Sequence, residues 1–184
     1  MKNLEEKTLG TKEIFSGRVI SLQVDEVELP NGRTSTREIV KHPGAVAIIA
    51  ITAENKIVLV EQYRKAMDRI LVEIPAGKLE PGEDPLSTAV RELEEETGYE
   101  CEHMDYLTAF YTSPGFADEI VHVYLAAGLQ KKVNAAALDE DEFVEVLELT
   151  LEEMIQYMKE QRIYDAKTVY AVQYLQLKEA ALKQ

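Results

Sequence analysis

Arg91-Glu92-Leu93-Glu94-Glu95-Glu96 crowds four carboxylates and one guanidinium into six residues. On a helix, Glu92 and Glu96 are four apart and share a face, with Glu95 beside them. Arg91 lies four before Glu95 and can pair with it. Carboxylates packed this way repel one another unless positive charge sits among them. Hard oxygen ligands on a short rigid element suit Mg²⁺ or Mn²⁺, which keep several waters and bridge to phosphate oxygens. Upstream, Gly77 to Gly82 has glycine at both ends and Pro81 inside, a loop whose backbone can approach a ligand closely. A solvated acidic face is the usual reading of consecutive glutamates, and it suits Glu94. It does not account for the whole set of Gly77, Glu83, Arg91, Glu92, Glu95, Glu96 and Gly98.

The elements that must hold these residues follow from local signals. Asp84 caps and Pro85 opens a helix. Leu86, Ala89 or Val90, Leu93 and Thr97 recur at helical spacing and are expected to face a core. Gly98 ends the helix. Before it, Glu13–Phe15, Val19–Val24 and Arg37–Val40 read as strands, the last pair joined through Pro30-Asn31-Gly32, a hairpin turn. These N-terminal strands could pack on the rest of the chain or on a second subunit. The apolar run from Gly44 to Ile51 predicts a strand buried on both faces. Lys56–Tyr63, Ile70–Ile74, Leu107–Thr112, Ile120–Leu125 and Phe143–Leu149 are further expected strands. Thr150 with Glu153 reads as a capping box opening a helix over Leu151–Lys159, and a last helix is expected from Ala166 to Leu182. Mixed strands with one central and two late helices give an α+β layered domain.

The whole chain narrows the function classes. At 184 residues it suits one sizeable core, and 46% hydrophobic with 29% charged residues is the balance of a globular protein. A formal net charge of −14 argues against a nucleic-acid or anionic-membrane surface. It also demands cations if an anionic substrate is to enter the carboxylate cluster. No apolar run is long enough to span a bilayer, and no signal peptide is evident. Cys101 is the single cysteine, which fits a reducing cytoplasm, and it reads as a small, partly buried strand residue.

Residues 77–99 match the Nudix box, G-x5-E-x7-R-E-U-x-E-E-x-G-U, where U is a bulky aliphatic residue. Every fixed letter is in place, and Tyr99, aromatic at the final U, is the one soft departure. The chain is therefore similar to Nudix hydrolases, which split nucleoside diphosphates joined to another group. The resemblance implies an α/β/α sandwich with a mixed sheet, over residues 43–184, preceded by an N-terminal β-region, residues 1–42. Pro114, fifteen positions after Tyr99, is the mark of the ADP-ribose pyrophosphatase branch. Ser113-Pro114-Gly115-Phe116-Ala117-Asp118-Glu119 looks like that branch's substrate loop. Glu61-Gln62-Tyr63-Arg64 and Glu73 to Glu83 resemble it too.

By that resemblance the backbone carbonyl of Ala76, with Glu92 and Glu96, holds metal, and Glu95 shares or supports the role and is counted with Glu142 among the catalytic residues. Two or more Mg²⁺ ions are implied, with Mn²⁺ as an alternative. Arg64, and Arg37 next to Glu38, are expected to contact the diphosphate and adenine portions, since a planar guanidinium suits bidentate phosphate contact or base stacking. Ser113, Gly115 and Glu119 belong to the substrate loop, the last two against the terminal ribose or the metals. Phe116 is expected to anchor that loop in the core. The catalytic base is expected on the acidic stretch 138–146, as Glu142, with Glu140 the runner-up. His42 and His122 match no family motif and are read as packed or surface residues.

The resemblance further implies a cytoplasmic homodimer whose N-terminal strands cross to the partner. The reaction it implies is hydrolysis of ADP-ribose to AMP and ribose 5-phosphate. Another nucleoside diphosphate sugar, such as GDP-mannose, is the near alternative, and a non-catalytic ADP-ribose sensor the distant one.

Overall fold

The computed structural model describes residues 4–132 and 143–183. It divides into two compact units, Met1–Gly44 with Phe110–Ile120, and Ala45–Ala109 with Val121–Gln184.

In the first unit, β1 (Lys7–Ser16), β2 (Ser21–Glu28) and β3 (Thr34–Lys41) form a three-stranded antiparallel sheet. The Pro30-Asn31-Gly32 signal closes the β2–β3 hairpin as expected: the Gly32 N–H donates to the Leu29 carbonyl at 2.8 Å, and the Arg33 N–H to Asn31 Oδ1 at 3.1 Å. Val19 and Ile20, expected in a strand, lie instead in the turn between β1 and β2, where the Gly17 N–H reaches the Ile20 carbonyl at 2.9 Å. All of β1 is exposed, including Leu9, Ile14 and Phe15.

The second unit is built on a mixed sheet of β4 (Ala45–Ile51), β5 (Ile57–Arg64), β6 (Arg69–Glu73), β7 (Ala76–Lys78), β8 (Tyr99–Tyr111), β9 (Ile120–Lys131) and β10 (Val144–Leu149). The order is β10-β5-β4-β9-β8, with β6 also on β5 and β7 also on β4. β4 runs parallel to β9 and antiparallel to β5 and β7. The apolar run of β4 is central because both of its faces are covered. Val46, Ile48 and Ala50 pack with Ala89 and Leu93 of α1 (Pro85–Thr97). On the other face Ile51 and Ile57 border Leu151 of α2 (Leu151–Lys159) and Leu175 of α3 (Ala166–Leu182). Helices on both faces of a mixed sheet make the expected α/β/α arrangement.

Several local expectations are corrected. Ala89, Leu93 and Thr97 are buried on α1, but Leu86 and Val90 are exposed, so the core stripe passes through Ala89 rather than Val90. β8 begins at Tyr99, eight residues before the expected Leu107. It is the terminal strand in the sheet order, and exposed Glu100, Glu102, His103 and Asp105 interrupt the few apolar residues of its first half. Gly77 and Lys78, read as loop, belong to β7, which is too short to carry a sequence pattern. Leu182 at the end of α3 is exposed. No described helix is long and apolar enough to cross a membrane.

Candidate active site

α1 is fixed at both ends before it can present its carboxylates. Asp84 accepts from the N–H groups of Leu86 at 3.0 Å and Ser87 at 3.3 Å, satisfying orphan donors of the first turn. At the other end Gly98 takes the left-handed conformation, φ 70°, and its N–H reaches the Glu94 carbonyl at 2.8 Å. Tyr99, the aromatic departure from the box pattern, is buried and donates its hydroxyl to Glu148 of β10 at 2.6 Å. The ring fills core space as an aliphatic residue would, and its polar tip has a partner.

Between these caps, Arg91 gathers the acidic side chains. Its Nη1 donates to Glu92 at 2.8 Å and to Glu95 at 2.7 Å, and its Nε and Nη2 reach Glu83 at 3.2 and 3.0 Å. Three carboxylates on one guanidinium raise the Arg91 pKa far above its usual value, the Glu83 hydrogen bonds first, against the opposing effect of burial. Arg91 in turn holds Glu83 below the ordinary carboxylate range. Glu96 is buried and accepts the Ala76 N–H at 2.9 Å, tying the helix to β7. Glu94 points elsewhere: half-buried rather than simply exposed, it pairs with Lys132 at 2.7 Å.

Gly77 explains how β7 comes so close. A Cβ there would sit 1.9 Å from the Glu92 carboxyl carbon and 2.0 Å from one of its oxygens. The Glu92 carboxylate thus occupies the space that any other residue's side chain would need. Ala76, Glu92, Glu95 and Glu96 are brought together on one side of α1.

Arg64, at the end of β5, makes a bidentate pair with Glu73 at the end of β6, through Nε and Nη2 at 2.7 Å each. Glu73 is 1% exposed and also accepts from Lys167 of α3, which bonds Asp165 at 2.9 Å. Burial pushes the Glu73 carboxyl up, but the Arg64 hydrogen bonds and the charges of Lys167 and Arg64 outweigh it and hold the pKa at about 2. Sequence reading missed this network. Its signals were a glutamate closing an apolar strand run and a lysine at the second position of a helix, where the dipole disfavours a cation.

The remaining expected site residues fall in the first unit. Arg37 on β3 pairs with Glu6 through Nε at 2.8 Å and Nη2 at 2.5 Å, and also reaches Ser35 and the Thr36 carbonyl. Glu38 beside it is exposed. The loop 112–119 docks on β3: the Val40 N–H donates to the Phe116 carbonyl at 2.8 Å and the Asp118 N–H to the Val40 carbonyl at 3.2 Å. The Ser113 carbonyl accepts from Phe116 and Ala117 N–H groups, closing the turn. Glu119 accepts from the Thr112 hydroxyl at 2.5 Å and lies 3.8 Å from His42 Nε2. Phe116 does not anchor this loop, being 57% exposed; backbone bonds and the Lys41–Asp118 pair do so instead. Gly115 has open space where a Cβ would project. Glu142 and Glu140 lie outside the described residues.

The residues present fit a hard divalent cation. The donors are all oxygens, three of them on one rigid helix and one on the adjoining β7, and Glu92 and Glu95 already share one cationic group, Arg91. Among the described residues no three His, Cys, Asp or Glu groups stand in ligating geometry; Glu92 and Glu95 bond Arg91, and Glu96 accepts the Ala76 N–H.

Comparison with known proteins identifies the family and the fold. A model described as the nucleoside diphosphate sugar hydrolase N-terminal domain matches residues 6–40, and one described as the NUDIX domain matches residues 41–171. A methanol dehydrogenase activator of Bacillus methanolicus is 73% identical over 179 residues, 97% of each chain. An ADP-ribose pyrophosphatase of Bacillus subtilis is 63% identical over 180 residues, 98% of this chain and 97% of that one. A solved structure of an ADP compounds hydrolase has the same fold, with a TM-score of 0.85 over 99% of this chain and 98% of that one at 20% identity. The matched domains, the intact box and the carboxylate face it builds together place this chain in the Nudix family.

Proposed function

We propose that this chain hydrolyses the pyrophosphate bond of ADP-ribose, giving AMP and ribose 5-phosphate. The observation that carries the reading is the carboxylate face of α1, with Glu92 lodged against the bare backbone of Gly77. The Bacillus subtilis relative supplies the substrate. Glu92, Glu96 and the Ala76 carbonyl would hold Mg²⁺ or Mn²⁺, two or more ions, with Glu95 sharing the role. When bound, such ions offset the diphosphate charge and make a water acidic enough to attack at neutral pH. Arg64 contacts the diphosphate, and Arg37 with Glu38 receives the adenosine portion. Ser113, Gly115 and Glu119 frame the terminal ribose, where the open space beside Gly115 leaves room for a ligand. Glu142 takes the proton from the attacking water.

The residues 1–42 form a dimerising β-region in this reading and 43–184 the catalytic domain. The exposed Leu9, Ile14 and Phe15 of β1 support a homodimer with exchanged N-terminal strands. A reducing cytoplasm suits a chain with one cysteine.

The test is turnover of ADP-ribose with Mg²⁺, comparing the parent with Glu142→Gln and measuring GDP-mannose alongside. Rapid release of AMP, abolished by Glu142→Gln, is the expected result. Cleavage of GDP-mannose alone would overturn the substrate assignment, and binding of ADP-ribose without turnover would make the chain a sensor. A second reading rests on the Bacillus methanolicus relative, at 73% identity: the chain also activates a methanol dehydrogenase. Adding it to that dehydrogenase and finding no change in rate would remove this reading.

A further inference from the structure

We propose that Lys167 is a positioning residue for substrate binding: from the first turn of α3 it clamps Glu73, and Glu73 sets the plane in which Arg64 presents its guanidinium. The inference rests on the assignment of Arg64 to the diphosphate.

The sheet register makes the link possible. Val60 faces Glu73 across β5 and β6, and Arg64 faces Arg69, so Arg64 and Glu73 project from the same face of this hairpin. Arg64 lies back along that face and spends Nε and Nη2 on the two Glu73 oxygens. A fork held at two points has its plane fixed, and among the described residues Nη1 has no hydrogen-bond partner. The group is 40% exposed, and the Glu96 carboxylate is near enough to favour its charge. The free edge of Arg64 is thus held rigidly, in the field of the metal-holding helix.

What fixes Glu73 is not its own strand alone. A buried carboxylate held by one guanidinium could swing with it. Lys167 removes that freedom by bonding Glu73 from α3, 94 residues away in sequence. Lys167 is in turn held by Asp165, the residue that caps α3 through the Thr168 N–H at 3.2 Å. The other Asp165 oxygen is buried without a hydrogen-bond partner among the described residues, so the lysine's charge is needed there too. A cation in the first turn of a helix opposes the dipole, a cost that a purely helix-forming role does not explain. Two positive and two negative groups balance, which leaves the cluster suited to holding a geometry rather than capturing an ion.

The test compares Lys167→Met, Lys167→Arg and Thr168→Val with the parent, reading KM and kcat for ADP-ribose, the thermal midpoint, and the NMR signal of the Arg64 Nε–H. Thr168 is the structural control, because its hydroxyl accepts the buried Ile74 N–H at 3.0 Å beside the same cluster without joining it. Lys167→Met is expected to raise KM about tenfold with kcat within about twofold, and to broaden the Arg64 Nε–H signal. Lys167→Arg is expected to restore most of the KM. Thr168→Val is expected to lower the midpoint without moving KM. Equal KM increases in Thr168→Val and Lys167→Met would reduce Lys167 to a general prop and overturn the proposal.

Should Lys167→Met not fold, Glu73→Gln/Lys167→Met removes one charge of each sign and carries the same expected KM increase. Arg64→Ala separates the two layers of the argument. If it leaves KM unchanged, the diphosphate assignment of Arg64 fails. If it raises KM while Lys167→Met does not, the positioning role fails alone. On an Arg64→Ala background, Lys167→Met should add nothing to KM.

Discussion

Two charge clusters of the second unit use the same residue types to opposite ends. On α1, the single guanidinium of Arg91 serves Glu83, Glu92 and Glu95, with Glu96 close by on the Ala76 N–H. Between β5, β6 and α3, two cations, Arg64 and Lys167, serve Glu73 and Asp165. The first cluster is acidic beyond what its own cation can neutralise, with Glu83, Arg91 and Glu95 partly exposed and Glu92 and Glu96 buried. The second is balanced and nearly sealed around Glu73. An unbalanced set of hard oxygens invites a divalent cation and the phosphates that come with it, whereas a balanced set holds a shape.

The largest expected effect breaks the first cluster where it should be most sensitive. Glu96→Gln keeps an acceptor for the Ala76 N–H but removes a charge from the carboxylate face proposed to hold metal. Its kcat/KM is expected to fall about a thousandfold, while the thermal midpoint stays level or rises because like charges are relieved. Steady-state kinetics beside a thermal melt check both halves. A large loss of stability would mean that this carboxylate serves structure, like those of the other cluster.

Gly77→Ala probes the same face without touching a carboxylate. The added Cβ meets only the far end of Glu92, which can swing aside, so the fold should survive. The displaced carboxylate no longer faces β7, and kcat/KM is expected to fall about a hundredfold. Retained activity would show that Glu92 works from a position other than the one beside Gly77.

Glu73→Gln makes the complementary test, in stability rather than rate. The Glu73 pKa lies at about 2, against 4.5 for an ordinary glutamate. A carboxyl with a depressed folded-state pKa stabilises fully above the unfolded value and loses that contribution as pH falls through the folded one. The parent should therefore exceed Glu73→Gln by about 3 kcal/mol at neutral pH, with the gap closing between pH 4.5 and 2. Urea unfolding of both proteins across that range gives the answer. A gap that persists at pH 2 would mean that shape, not charge, is what Glu73 contributes.

The two clusters also differ in how legible they were. The α1 cluster is local: its spacing lies within one helix, and Asp84, Pro85 and Gly98 mark that helix's ends as the structure has them. The bounds of α2 and α3 could be read for the same reason, from a capping box and an apolar rhythm. The Glu73 cluster is assembled by topology, since α3 reaches β6 across 94 residues of sequence, and no local spacing encodes that contact. The first half of β8 carries no clean strand signal, because exposed Glu100, Glu102, His103 and Asp105 break any period-two rhythm between Tyr99, Cys101 and Met104. Phe116 was misplaced because hydrophobicity was taken for burial, whereas backbone hydrogen bonds hold its loop.

The smallest expected effect tests how sharply the first cluster is bounded. Glu94 and Glu95 are neighbours in sequence, yet about 100° of helix separates their directions. Glu95 turns to Arg91 and the carboxylate face, and Glu94 to Lys132 on the far side. The box pattern leaves position 94 free, which agrees with a partner that is a half-exposed surface lysine. Glu94→Ala is expected to change kcat/KM by less than about twofold, since exposed pairs contribute little once solvent screens them. Glu95→Ala, one residue on, should cost far more. Should the two variants lose activity equally, the catalytic influence would extend around the helix. The division between the Arg91 carboxylate face and an ordinary surface would then have to be drawn by total charge rather than by direction.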